Sequence, residues 1–277
     1  MPKRSRQPRR QTTESNTYRF FVDAEAFHGR DVVIEDGELA HQMSAVLRLR
    51  ADERVLLLDN SGWQYQVALS SIERGRITGT VEHKQLAGGE PRTKLTLYVA
   101  VLRSERFEWV LQKGTELGVS AFVPVICERS TIADTDELSE RKLERWGRIL
   151  REAAEQSRRG KLPRLAPALF FPSACDQAPQ RNTALLLWEG TGVPALRQVL
   201  RGSGLASEAI DPRSPAAAHP FSVALFSGPE GGFTPKELET AQRYGMIAVT
   251  LGPRTLRAET APLVAASAIL YEMGDLE

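Results

Sequence analysis

The sequence predicts an α/β protein, with a mainly parallel sheet in its larger C-terminal part and a small β-barrel in front of it. Three observations carry this. Short apolar runs broken by turn residues fill residues 18–83. From residue 95 onward, apolar runs alternate with segments of helical period. Between the two, Leu86-Ala-Gly-Gly-Glu-Pro-Arg92 has the composition of a linker.

In the first part, 55–59, 64–69 and 77–81 read as strands, with Asn60-Ser61-Gly62 and Arg74-Gly75 as turns. One short helix fits 38–47. In the second part, 95–101 is a continuous apolar run, followed by a helix over 105–117. Its face is Phe107, Val110, Leu111, Gly114 and Leu117, and Gly118 is its stop signal. Residues 121–127 form the next strand. Ser139 is placed to cap a helix reaching Ser157, with Leu143, Trp146, Leu150, Ala153 and Ala154 facing the core. Two more buried strands are predicted at 183–188 and 221–226. Between them, 201–220 is rich in Gly, Ser, Ala and Pro and reads as an exposed insertion.

The C-terminal stretch holds the sharpest local signals. Ser227-Gly-Pro-Glu-Gly-Gly-Phe233 follows a strand directly. Thr234 then reads as an N-cap, Pro235 as the first helical residue and Glu237 as the partner that completes a capping box. Gly245 ends that helix, 246–251 is a strand, 252–257 a tight loop, and 260–273 a last helix stopped by Gly274.

Composition limits the function classes. A chain of 277 residues supports one large domain or two modest ones. No apolar stretch is long enough to span a bilayer, and the polar, basic N-terminus does not read as a secretory signal. Cys127 and Cys175 are far apart, and His28, His41, His83 and His219 show no metal-ligand spacing, so a reduced cytoplasmic protein with no metal is expected. Net charge is +1, yet residues 1–17 begin with Lys3, Arg4, Arg6, Arg9 and Arg10 before any acid. Such a tail reads either as solubilising or as phosphate-contacting.

Three segments bear chemistry. Glycines at 228–232 let the backbone approach a ligand, and the capped helix start adds free N–H groups at a strand's carboxyl end. The bland reading is a tight turn that needs glycine for geometry alone. No phosphate-loop or dinucleotide fingerprint is present; Glu189-Gly-Thr-Gly192 lacks the third glycine, but its position at a strand end suits a pocket wall. The loop Leu251-Gly-Pro-Arg-Thr-Leu-Arg-Ala-Glu259 reads either as an Arg257–Glu259 pair beside a helix cap or as a loop holding a base while Arg254 or Arg257 meets an anion. Arg158, Arg159 and Lys161 suit a helix C-terminus and RNA phosphates alike. Glu155 and Gln156, a turn earlier, are pocket residues or a solvated face.

Taken in order, Gly228-Pro-Glu-Gly-Gly-Phe233 and Leu251-Gly-Pro-Arg-Thr-Leu-Arg-Ala-Glu-Thr-Ala261 resemble the signature of the ribosomal RNA small subunit methyltransferase E family. Glu152-Ala-Ala-Glu-Gln-Ser-Arg158, Lys113-Gly-Thr-Glu-Leu-Gly118, Arg19-Phe-Phe-Val22, His41 and Val46-Leu-Arg48 are similar to family segments too. The resemblance implies a PUA-like RNA-binding barrel over 18–86 and a SPOUT-type domain with a deep trefoil knot over 93–277. It also implies a homodimer and S-adenosyl-L-methionine as methyl donor. The expected activity is methylation of N3 of a specific uridine in the 16S rRNA of the small ribosomal subunit.

By the same resemblance, the donor would contact Glu189, Gly228, Glu230, Gly231, Gly232, Leu251, Gly252, Leu256 and Arg257. Arg19, His41, Arg48, Arg158, Arg159 and Lys161 are the RNA-contact candidates, and Phe20 and Phe21 are either base-stacking or core residues. Uracil N3 is a poor nucleophile until its proton leaves, so charge spreading onto O2 and O4 needs a partner. Arg257 is the candidate for that task, oriented by Glu259; no residue stands out as the base. A ribose 2′-O-methyltransferase of the same fold and a non-catalytic RNA-binding assembly factor remain as alternatives.

Overall fold

The computed structural model describes residues 17–134, 138–178, 183–202 and 222–276. Residues 1–16 of the basic tail and 203–220 of the insertion fall outside this set. The chain divides into two compact units, at Gly88/Gly89.

The N-terminal unit is a six-stranded sheet: β1 (Arg19–Phe21), β2 (Phe27–His28), β3 (Asp31–Ile34), β4 (Arg54–Leu58), β5 (Trp63–Glu73) and β6 (Arg76–Leu86). Its order is β1-β4-β5-β6-β3-β2, so the hydrogen-bonded ladder is open, with β1 and β2 at its edges. The barrel expected from the strand spacing is therefore not closed by hydrogen bonds. Alternate residues point inward, and Phe20, Val32, Ile34, Val55, Leu57, Val67, Leu69 and Ile77 make its core. Helix α1 (Gly37–His41), capped by Asp36, closes over that core through Leu39 and Ala40 and runs on into a π-type turn at Gln42–Val46. The sequence pattern merged these into one helix and missed the short β1, β2 and β3, which carry too few residues for a periodic signal.

The C-terminal unit is a parallel sheet. Its strands are β7 (Lys94–Ala100), β8 (Ala121–Ile126), β9 (Arg164–Leu165), β10 (Leu169–Phe170), β11 (Thr183–Leu187), β12 (Ser222–Ser227) and β13 (Ile247–Val249). The order is β10-β8-β7-β12-β11-β13, with β9 beside β8. All of these pairings are parallel. Successive side chains feed opposite layers. Leu95, Leu97, Val99, Val223, Leu225 and Leu185 pack under α2 (Ser104–Leu117), α3 (Glu140–Gln156), α5 (Leu196–Gly202) and α7 (Thr260–Glu272). Tyr98, Ala224, Phe226 and Leu186 meet α4 (Phe171–Gln177) and α6 (Pro235–Arg243). A sheet covered on both faces explains why its strands read as unbroken apolar runs.

Gly118 ends α2 at φ 105°, and a side chain there would collide with Pro91, so glycine is required twice over. Ser139 stands at the start of α3 but its hydroxyl caps no N–H. The long helix is held instead by its apolar face, where the rings of Trp146 and Phe107 sit 4.4 Å apart. No helix among the described residues is long and apolar enough to cross a membrane. No group of His, Cys, Asp or Glu among them is arranged to hold a metal ion.

Candidate active site

Parallel pairing sends the chain out of β7, β12, β11 and β13 at one edge of the sheet. Three loops meet there: 188–195 after β11, 228–234 after β12 and 250–259 after β13. Backbone bonds stitch the first to the third. Trp188 N–H donates to Val249 O at 2.9 Å, Thr250 N–H to Pro194 O at 3.0 Å and Leu196 N–H to Thr250 O at 3.0 Å.

The 228–234 loop is fixed at its far end by the predicted capping box. Thr234 N–H donates to Glu237 Oε2 at 2.8 Å, and Glu237 N–H to Thr234 Oγ1 at 3.2 Å. The segment after β8 reinforces it: Glu128 N–H donates to Glu237 Oε1 at 2.9 Å, and Thr234 Oγ1 to Glu128 Oε2 at 3.0 Å. Arg129 Nη1 donates to Gly231 O at 2.7 Å. Gly232 sits at φ 66°, and a Cβ on it would run into the Glu189 carboxylate. Glu189, Gly231 and Gly232 are thus brought together, although Glu189 lies more than forty residues upstream.

The 250–259 loop contributes Leu251, which packs on the core, Gly252 at φ 111°, half-buried Leu256, and exposed Arg254 and Arg257. Arg106, on the first turn of α2, reaches both neighbouring loops. Its Nη1 lies 3.4 Å from Glu230 Oε1 and its Nε 3.9 Å from Glu259 Oε1. This corrects the sequence reading of Glu259: its cation is Arg106, not Arg257. Among the described residues no ion pair involves Arg257, and its carbonyl accepts the N–H groups of Thr260 and Ala261 at 2.9 Å each.

The basic cluster after α3 divides. Arg158, at φ 61°, and Lys161 are exposed. Arg159 is 3% exposed. Its guanidinium grips Glu90 through Nε (3.1 Å) and Nη2 (2.8 Å), and Nη1 donates to the carbonyls of Thr115 (3.2 Å) and Val119 (2.6 Å). Its donors face inward, so Arg159 is a structural residue and leaves the RNA-contact set. Glu155 is half-buried and Gln156 exposed.

In the N-terminal unit, His41 and Arg48 are exposed, and Arg19 is half-buried with Nη2 donating to Gln64 Oε1 at 3.0 Å. Phe20 and Phe21 are both buried, which removes them as base-stacking platforms. Elsewhere in this unit Trp63 is 38% exposed, beside a lysine. Lys84 Nζ lies 4.8 Å above the Trp63 ring and 5.1 Å from Tyr65. Sequence reasoning also missed Arg106, Glu128 and Arg129. For Arg106 one signal was present: a cation in a helix's first turn opposes the dipole and invites a reason.

Separate from the glycine loop, a cavity of about 390 Å³ lies between β8, α4 and α6, lined by Cys127, Ile132, Phe171, Lys236 and Glu237 among others. Burial, then the Glu237 charge, pushes the Cys127 thiol well above its usual range, and the same causes raise Cys175 to about 12. Neither is a nucleophile at neutral pH.

A parallel sheet with a glycine cradle at its carboxyl edge defines a class, and residues 89–270 match the family model of an RNA methyltransferase domain. Relatives narrow this further. The ribosomal RNA small subunit methyltransferase E of Bacillus subtilis is 30% identical over 236 residues, covering 85% of this chain and 88% of that protein. The Synechocystis protein of the same name is 34% identical over 255 residues, 91% of this chain and 77% of its own. A crystal structure of the Neisseria gonorrhoeae protein of that name, bound to S-adenosyl methionine, superposes with a TM-score of 0.77 at 30% identity, covering 92% of this chain and 98% of that one. The chain belongs to the ribosomal RNA small subunit methyltransferase E family.

Proposed function

We propose that this protein transfers a methyl group from S-adenosyl-L-methionine to N3 of a specific uridine in the 16S rRNA of the small ribosomal subunit, in the cytoplasm. One observation carries the reading: the glycine loop at 228–232 lies against Glu189 and is joined through Arg106 to the loop holding Glu259. The residues fit the donor. Glycine at 231 and 232 lets the loop close against Arg129 and the Glu189 carboxylate, where a Cβ would be crowded, and this holds its backbone at the carboxyl edge of the sheet. Gly228, Glu230, Gly231, Gly232, Leu251, Gly252, Leu256 and Arg257 are assigned to the donor, with Glu189 as a wall. The crystallised Neisseria gonorrhoeae relative is bound to S-adenosyl methionine, which supports the same ligand here.

Bound there, S-adenosylmethionine supplies a methyl on a sulfonium, and alignment of the attacking nitrogen supplies much of the rate. Arg257, exposed at the loop and free of an ion pair among the described residues, stabilises the charge developing on uracil O2 or O4. Glu259 acts on Arg106 rather than as its orienter. N3 is on the Watson–Crick edge, so the target base is unpaired or extruded.

The N-terminal unit, 18–86, serves as a PUA-like RNA-binding module, with Arg19, His41 and Arg48 as contacts, and 93–277 as the SPOUT-type catalytic domain, to which Arg158 and Lys161 add contacts. A knot is supported by the course of the chain: β12 inserts between β7 and β11, β13 lies beyond them, and α7 returns to pack on the layer beneath. A homodimer is supported by α7, which carries Val264, Ala268 and Tyr271 outward while Ala265, Ala266, Ile269 and Leu270 are buried. A helix apolar on all sides calls for a partner on its outer face.

The test is transfer of labelled methyl from S-adenosylmethionine to unmodified small subunits, followed by digestion and mass spectrometry. Label on the base at uridine N3 is expected. Label on a ribose oxygen, or RNA retention without any transfer, would replace this reading with one of the two alternatives.

A further inference from the structure

We infer that Arg106 is a positioning residue for the methyl donor: it sets the spacing between the 228–233 loop and the 252–259 loop. The inference rests on the reading above that these loops grip S-adenosylmethionine. Their strands, β12 and β13, are separated by β11, which places them roughly 10 Å apart at the usual strand spacing. Backbone bonds tie the β11 loop to the β13 loop, but among the described residues none joins 228–233 to 252–259. A long side chain from a third element is what bridges them, and Arg106 does so with two different nitrogens, Nη1 toward Glu230 and Nε toward Glu259.

Two further facts separate this from an ordinary surface pair. A cation in the first turn of α2 faces the positive end of that helix, so α2 gains nothing from it. The Glu259 carboxylate is mostly enclosed, its side chain 14% exposed, and its Oε2 is buried without a hydrogen-bond partner among the described residues. Arg106 is the cation that faces this enclosed charge. Without Arg106 the two loops lose their common tether, and the fraction of molecules with the gripping arrangement falls. Apparent donor affinity falls by the same factor. Arg106 is 43% exposed, so the pairs are partly screened and the effect is moderate.

The experiment is calorimetric titration of S-adenosylmethionine into the full chain, its Arg106→Met, Arg106→Lys and Glu259→Gln variants, and the Arg106→Met/Glu259→Gln double, with thermal melts alongside. Arg106→Met is expected to weaken binding about three- to tenfold. Arg106→Lys recovers most of it, and the double variant binds no worse than Arg106→Met. Raising salt weakens the native chain more than Arg106→Met, a readout that a purely structural role would not move. Native binding with Arg106→Met unchanged, or losses that multiply in the double variant, overturns the positioning role alone. Absence of binding by the native chain overturns the loop assignment and this inference with it. If Arg106→Met melts early, Glu259→Gln decides: a weakening that Arg106→Met does not add to supports the tether, and unchanged binding rejects it.

Discussion

Arg159 and Glu90 form a two-pronged pair, Nε to Oε1 at 3.1 Å and Nη2 to Oε2 at 2.8 Å, with the arginine 3% exposed. The pair joins the end of α3 to the start of β7's approach, and Glu90 Oε1 also accepts the N–H groups of Gly160 and Lys161 at 3.1 and 3.2 Å. Removing one partner strands the other in a dry place. Arg159→Ala is expected to lower unfolding free energy by about 3–5 kcal/mol. Arg159→Lys recovers only part, because lysine lacks the fork. Denaturant unfolding measures both. A stable Arg159→Ala protein with weakened RNA binding would restore Arg159 to the RNA-contact set.

Gly232 and Gly231 differ in a way that ranks their substitutions. Gly232 has a left-handed φ of 66° and faces the Glu189 carboxylate; a Cβ at Gly231 would lie 3.2 Å from the flexible Arg129 chain. Gly232→Ala carries about 1–2 kcal/mol of backbone strain that Gly231→Ala escapes. Calorimetry with S-adenosylmethionine is expected to show the greater loss for Gly232→Ala, of about tenfold or more. The opposite order would mean that the loop's conformation does not govern binding.

Arg257→Ala tests charge stabilisation. Single-turnover methyl transfer is expected to fall about 10²- to 10³-fold. Cofactor affinity should stay within about threefold, because backbone atoms do most of the holding. Unchanged turnover would remove Arg257 from the mechanism.

Cys127 and Cys175 are both buried, with thiols raised above their ordinary value of 9.0, Cys175 to about 12. A thiol reagent at pH 8 should leave both unmodified in the native protein and label both after denaturation. The sign for stability follows from the raised folded value. The contribution is complete below the unfolded thiol's value near 9 and is lost as pH climbs through about 12, since only the unfolded chain ionises in that window. A melting temperature rising from pH 9 to 11 would contradict it.

The outer stripe of α7, Val264 at 43% and Tyr271 at 64% exposed, is the proposed contact with a second copy. Val264→Glu with Tyr271→Glu should turn dimers into monomers in sedimentation and abolish transfer. A native chain that sediments as a monomer at micromolar concentration would dismiss that assembly.

Particular residues show why the sequence was legible in some places and silent in others. The Thr234–Glu237 capping box and the stops at Gly118 and Gly245 depend on neighbours within four positions, and each reads directly from the chain. The strands of the parallel sheet read equally well, because burial on both faces leaves an unbroken apolar run. By contrast, Arg159 meets Glu90 across 69 positions and Arg106 meets Glu230 across 124. Nothing in the local pattern distinguishes an arginine that will be enclosed from one that will face RNA.

By itself, then, the sequence determined the longer elements, the glycine-rich turns and the family those motifs resemble, since periodicity and capping are short-range physics. Only the tertiary structure decided that Phe20 and Phe21 are core, that Arg159 is a strut, and that Glu259 answers to Arg106. The reason is geometric: which side chains become neighbours depends on how β12 and β13 are placed around β11, and that placement is a property of the whole folded chain.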